Sequence, residues 1–151
     1  MANQSGVVRI FAGEAEAESA AAYGFAMLRR AVGDGVAVVR FREPKASGEL
    51  FSARELGIGV FLFTAGAPQE SGEFIALDWR AVLDLVASGE HDLVVLDGLL
   101  DAVEDGAVPM AEVVGLLEGG APSGLLLTGL RAPVELVKRA DIVVEMLAIK
   151  R

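Results

Sequence analysis

The chain has 151 residues, a formal charge of −9, an apolar fraction of 53% and no cysteine. The acidic balance excludes general binding to nucleic acid or anionic membranes, and the missing cysteines exclude disulfides, thiolate metal sites and a cysteine nucleophile. One domain spanning 1–151 suits this length; no apolar run reaches the roughly 20 residues of a membrane span, and the opening MANQSGVV lacks the pattern of a signal peptide, so a cytoplasmic protein is expected.

The first predicted element is a strand, VVRIFA at 7–12, followed by Gly13 and then a helix-forming run from Ser19 to Val32. Strand, glycine and helix in that order make the beginning of a phosphate-binding loop, where backbone N–H groups and a helix N-terminus face an anion. Glu14, Glu16 and Glu18 occupy the interval, and no lysine precedes Lys45. Ser19 offers a hydroxyl of the kind such loops place on Mg2+.

Further apolar runs of strand length follow at 36–41 (VAVVRF), 60–63 (VFLF), 93–97 (LVVLD), 124–128 (GLLLT) and 142–146 (IVVEM). They are continuous rather than alternating, and helical spacings lie between several of them, so a parallel sheet covered on both faces is predicted. Phe74 to Ala87 reads as one helix, with Ala76, Trp79, Val82, Leu83 and Val86 on a shared face. Thr64 to Glu73 reads as a loop. Pro109 and the Gly119, Gly120 pair bracket another helix, and Pro133 opens a short one that ends at Lys138 and Arg139.

In an open parallel sheet, ligands sit beyond the carboxyl ends of the strands. Asp97 ends one strand, where it suits either a Mg2+-holding aspartate or a helix cap. Thr128 ends another, and Arg131 follows it as either a phosphate ligand or a surface charge. His91 reads as part of a turn, and Trp79 and Tyr23 read as packing residues.

Together these residues resemble one family, the ATP:corrinoid adenosyltransferases. VVLDGLLDAVEDGAVPMAEVVGLL and LLLTGLRAPVELVKRADIVVEMLAIKR resemble the family's strand ending in Asp-Glu, its Thr-Gly-Arg turn and its closing Ala-Asp-x-Val-x-Glu-Met segment. GEAEAESAAAYGFAMLRRAVGDGVAVVRF lies where the family has a GxGKGKTTAA-type loop, a helix and a strand ending Gln-Phe. The resemblance implies a three-layer P-loop NTPase (RecA-like) α/β fold with a mostly parallel sheet of about six strands. It also implies a homodimer that uses MgATP and a corrinoid, transferring the 5′-deoxyadenosyl group to reduced cobalt.

By the same resemblance, the nucleotide-binding positions are Gly13, Glu16, Glu18, Ser19, Ala20, Thr128 and Arg131, with Asp97 for magnesium. Glu16 and Glu18 replace both lysines, Ala15 and Ala17 replace glycines, and Ser19 and Ala20 replace threonines. Gly98 replaces the glutamate after Asp97, and Arg40 replaces the glutamine. Arg131 falls one position late, and VFLFTAGAPQESG has no clear counterpart of the family's Phe-Thr-Trp segment. A like-charge contact at 4 Å costs on the order of 4 kcal/mol at an effective dielectric of 20, comparable to a whole millimolar affinity. The expectation is therefore lost or reduced ATP use, with an alternative role as a non-catalytic subunit pairing with an active paralogue.

Overall fold

The computed structural model describes residues 6–14, 16–43, 47–66 and 74–150. The elements are β1 (Val8–Gly13), α1 (Ala17–Ala31), β2 (Val36–Arg40), α2 (Gly48–Glu55), β3 (Gly59–Phe63), β4 (Ile75–Leu77), α3 (Trp79–Ser88), β5 (Leu93–Asp97), α4 (Leu99–Glu104), α5 (Met110–Glu118), β6 (Gly124–Gly129), α6 (Val134–Val137) and β7 (Ile142–Met146). The strands form one sheet in the order β4-β3-β2-β5-β6-β1-β7, and every pairing is parallel.

The continuous apolar strands are central for the reason their sequences suggest. Every residue of β2, β5 and β6 is buried, because helices cover both faces of the sheet. On one side, α1 and α2 send Ala22, Ala26, Leu50 and Ala53 against Val36, Val38 and Val95. On the other, Val82, Val86, Leu99, Val113, Leu117 and Leu136 of α3–α6 pack against Val94, Leu96 and Leu127. These three layers are the predicted P-loop NTPase-like arrangement, with seven strands instead of about six.

The extra strand corrects the reading of Phe74 to Ala87 as one helix. Ile75–Leu77 pairs with Phe61, Leu62 and Phe63 of β3, and the helix begins only at Trp79. Asp78 marks the break: its carboxylate accepts a 2.9 Å bond from Ala81 N–H, while Thr64 N–H reaches Leu77 O at 2.8 Å. Three residues are too few to carry a period of two, so the open edge of β3 selects the strand. Other differences are smaller. α1 starts at Ala17 rather than Ser19, and α2 and α4 add two helices that the apolar spacing does not mark. Of the expected loop at Thr64 to Glu73, positions 67–73 lie outside the described residues, as does Ala15.

Gly13 and Gly129 permit close approaches at the carboxyl end of the sheet. A Cβ on Gly13 would meet Met146 O at 2.5 Å, and one on Gly129 would fall inside contact with Leu100 Cβ and 3.1 Å from Asp101 Oδ1. Glycine lets β1 lie close against β7 and β6 close under α4.

Candidate functional site

Asp97 is the hub of the site. It ends β5 beside Arg40, its register partner on β2, and is fully buried. Its Oδ1 accepts hydrogen bonds from the hydroxyls of Ser19, at 3.1 Å, and Thr128, at 3.0 Å. Its Oδ2 accepts the Tyr23 hydroxyl at 3.1 Å. Each hydroxyl has one proton, so all three are committed to this carboxylate. Their lone pairs are used too: Thr128 Oγ1 accepts Gly98 N–H at 2.8 Å, and Tyr23 Oη accepts Arg40 Nη1 at 3.3 Å. Burial, and next the Asp97 charge, push the Tyr23 phenol far above its ordinary value, which keeps it a donor.

Two guanidiniums face the same carboxylate. Arg40 Nη1 lies 4.0 Å from Oδ2 and Arg42 Nη1 lies 4.0 Å from Oδ1. Arg40 also reaches Ser47 Oγ at 3.1 Å and Glu49 Oε1 at 3.4 Å, tying β2 to the start of α2. Arg42, just beyond β2, forks to the loop acids: Nη2 meets Glu16 Oε1 at 2.7 Å and Nη1 meets Glu18 Oε1 at 3.3 Å. Four carboxylates, Glu16, Glu18, Glu49 and Asp97, thus surround two guanidiniums.

The loop keeps the outline of an anion-binding turn. Glu16 is the residue before α1 and sits at φ 60°, the one described non-glycine residue with positive φ. That conformation costs a side-chain-bearing residue about 1–2 kcal/mol. Its bond to Arg42 holds the side chain across the turn. Glu18 and Ser19 turn inward and are buried. Burial pushes the Glu18 carboxyl above its ordinary 4.5, aided by Asp101 and opposed by backbone N–H groups and Arg42. Glu18 Oε2 and Arg40 Nε are buried and make no hydrogen bond among the described residues.

Of the positions proposed from sequence, Glu16, Glu18, Ser19, Thr128 and Asp97 converge, and Gly13 leads into them. Ala20 does not: it is exposed on the outer face of α1. Arg131 is also apart, an exposed side chain 3.8 Å from Glu104, although with Gly13 and Met146 it lines a separate depression beside β7. Tyr23, expected only to pack, belongs to the hub through its hydroxyl. Arg40 and Arg42 complete it. The available sequence signal was a charge ending the otherwise apolar run VAVVR, since an arginine is rarely buried without a partner.

Beyond the carboxyl ends of β2, β3 and β5 lies a crevice of about 630 Å3, lined among others by Phe41, Arg42, Phe63, Thr64, Gly98 and Asp101. The Phe41 and Phe63 rings stack in it at 4.5 Å, with Trp79 edge-on to Phe41 at 6.3 Å.

The fold and this site have a match among known families. Residues 4–151 fit the model of the ATP:corrinoid adenosyltransferase family BtuR/CobO/CobP. The chain belongs to this family. One curated relative, a corrinoid adenosyltransferase from Sinorhizobium sp, is 27% identical over 160 aligned positions, covering 98% of this chain and 75% of the relative. No described helix is long and apolar enough to cross a membrane.

Proposed function

We propose that this protein is a corrinoid adenosyltransferase homologue in which use of MgATP is lost or strongly reduced. The observation that carries the reading is Arg42, whose guanidinium joins Glu16 and Glu18 and stands 4.0 Å from Asp97. The charge order of a phosphate loop is reversed here, with acids on the loop and the cation beneath it.

Magnesium and triphosphate do not fit these residues. The oxygens Asp97 would offer a metal already accept three hydroxyls, and two guanidiniums supply positive charge beside them. Ser19, whose hydroxyl would join a magnesium shell, donates its proton to Asp97 at 3.1 Å. A triphosphate approaching the loop would meet Glu16, with a side chain 74% exposed, where attraction needs a lysine.

The family's other substrate fares better. The Phe41 and Phe63 stack gives the crevice an apolar wall at the mouth of the sheet, suited to one edge of a flat macrocycle, with Arg42 of the ion-paired cluster also lining it. A second reading is a non-catalytic subunit that binds an active paralogue. The outer face of α1, where the exposed residues Ala17, Ala20, Gly24, Leu28 and Ala31 carry no charge, favours it.

Calorimetric titration with MgATP tests the first reading, together with spectroscopic assay of adenosylation of cob(I)alamin and cob(I)yrinic acid a,c-diamide. The expected result is no binding up to millimolar MgATP and no adenosylated product. Affinity tighter than about 100 μM, or turnover, overturns it. The double substitution Glu16→Lys, Glu18→Lys is expected to raise MgATP affinity at least tenfold over the natural chain.

A further inference from the structure

The crevice beyond β2, β3 and β5 has two unlike sides. One is the apolar wall of Phe41 and Phe63. The other is acidic: Glu43, three positions past β2, Asp101 on α4 and Asp105 at the end of that helix all line it. The neighbouring cations are engaged elsewhere, Arg42 with Glu16 and Glu18 and Arg131 with Glu104. Glu43, Asp101 and Asp105 enter no ion pair among the described residues.

The fold gains little from these acids. Asp101 and Asp105 stand one helical turn apart, where like charges repel, and Asp105 lies at the carboxyl end of α4, where the backbone dipole is itself negative. Asp101 commits Oδ1 to Leu130 N–H at 2.9 Å and leaves its other oxygen to accept. Gly98 lines the crevice without a side chain, and a Cβ there would stand 2.9 Å from Arg42 Cβ. A ligand lying against the aromatic wall therefore meets carboxylate oxygens on its other side.

These acids bear on which corrinoid the crevice takes, an inference that rests on the corrinoid reading above. The rim of a corrin ring carries side chains that end either in carboxamides or in free carboxylates. A carboxamide NH2 donates to a carboxylate, whereas a second carboxylate brings only acceptors and a like charge. We propose that the crevice admits a corrinoid whose rim is fully amidated and rejects one that keeps free carboxylates, with Glu43, Asp101 and Asp105 as the discriminating residues. Selection of this kind works through repulsion of the wrong ligand. The net charge of −9 adds to it at long range, but salt at about 0.1 M screens exposed charges beyond about 10 Å, so the acids lining the crevice dominate. No nucleotide is needed for the discrimination.

Trp79 is the chain's one tryptophan and lies edge-on to Phe41 with ring centres 6.3 Å apart, so a corrin seated on the stack should quench its fluorescence. The natural chain would be titrated without ATP, in about 0.1 M salt, with dicyanocobinamide, whose rim is all amide, and with dicyano-cobyrinic acid a,c-diamide, with absorption corrected against free tryptophan. Cobinamide should bind at least tenfold tighter. Glu43→Gln with Asp105→Asn, both exposed, should cut that ratio at least threefold. Glu55→Gln with Glu90→Gln, the same charge change at exposed sites before β3 and β5, should leave it unchanged. Equal affinities, or tighter binding of the carboxylate form, overturn the proposal and leave corrinoid binding in place. Quenching by neither ligand up to about 100 μM overturns the corrinoid reading of the crevice along with it. An equal fall in the ratio for both charge pairs assigns the selection to net charge and rejects the crevice acids.

Discussion

Ser19 and Asp97, 78 positions apart, are joined directly by a 3.1 Å hydrogen bond. In a magnesium-dependent nucleotide site, a hydroxyl and an aspartate at these places face a common cation. Here the hydroxyl donates to the aspartate, and Arg40 and Arg42 place positive charge 4.0 Å from the same carboxylate. At a place that topology suits to a ligand, these groups bond to one another.

That arrangement predicts the sign of a stability change. A carboxylate kept for an absent metal strains the fold, so neutralising it would raise the melting temperature. Asp97→Asn should lower it instead, because it leaves two guanidiniums facing an amide. Breaking such a buried pair costs about 3–5 kcal/mol. For a domain of this size, that is a fall of roughly 6–20 °C, readable by calorimetry. An unchanged or higher melting temperature would show that the internal bonds do not hold the site.

Glu16 predicts a second ordering. Its left-handed backbone favours glycine, while its exposed side chain contributes at most about 1 kcal/mol through Arg42. Glu16→Ala loses the ion pair and keeps the strain; Glu16→Gly loses the pair and relieves it. The glycine variant should be the more stable of the two by about 1 kcal/mol, measured in urea. Equal stabilities would remove the strain from the account.

Glu18 gives the pH dependence. Burial raises its carboxyl above 4.5, so the folded chain holds that proton more tightly than the unfolded one. Its contribution is therefore fully present below 4.5 and is lost as pH rises through the folded value. Melting curves from pH 4 to 8 should show the difference between the natural chain and Glu18→Gln falling across that window. Glu49 runs the other way: its own backbone N–H, with help from Arg40, holds its carboxyl low, and its contribution is lost as pH falls below 4.5. A difference that stays flat with pH would contradict the assignment to Glu18.

Gly129→Ala tests the close packing of β6 under α4. The new Cβ would overlap Leu100 and crowd Asp101, whose Oδ1 accepts Leu130 N–H at 2.9 Å. The expected cost is about 2–3 kcal/mol, with α4 displaced and slower nuclear magnetic resonance line shapes or faster amide exchange at Leu130. No loss would mean that α4 yields freely.

The sequence by itself determined the fold class and the family likeness. Runs such as LVVLD and GLLLT are apolar throughout, and only a strand covered on both faces uses such a run, so a parallel sheet with two helical layers follows from local composition. The replacement of the family's lysines by Glu16 and Glu18 was equally plain once the resemblance was set beside the residues after Gly13. What those acids face was decided by tertiary structure. Arg42 lies 26 positions beyond Glu16, and their meeting depends on β2 standing next to β5 in the sheet. Tyr23 looked like a core residue because its ring is one; the partner of its hydroxyl, Asp97, comes from another strand. β4 formed because β3 left an edge to pair with. Local pattern specifies which face of an element is buried, but the identity of the group across from a polar atom depends on strand order, and one residue's neighbours in the chain do not carry that information.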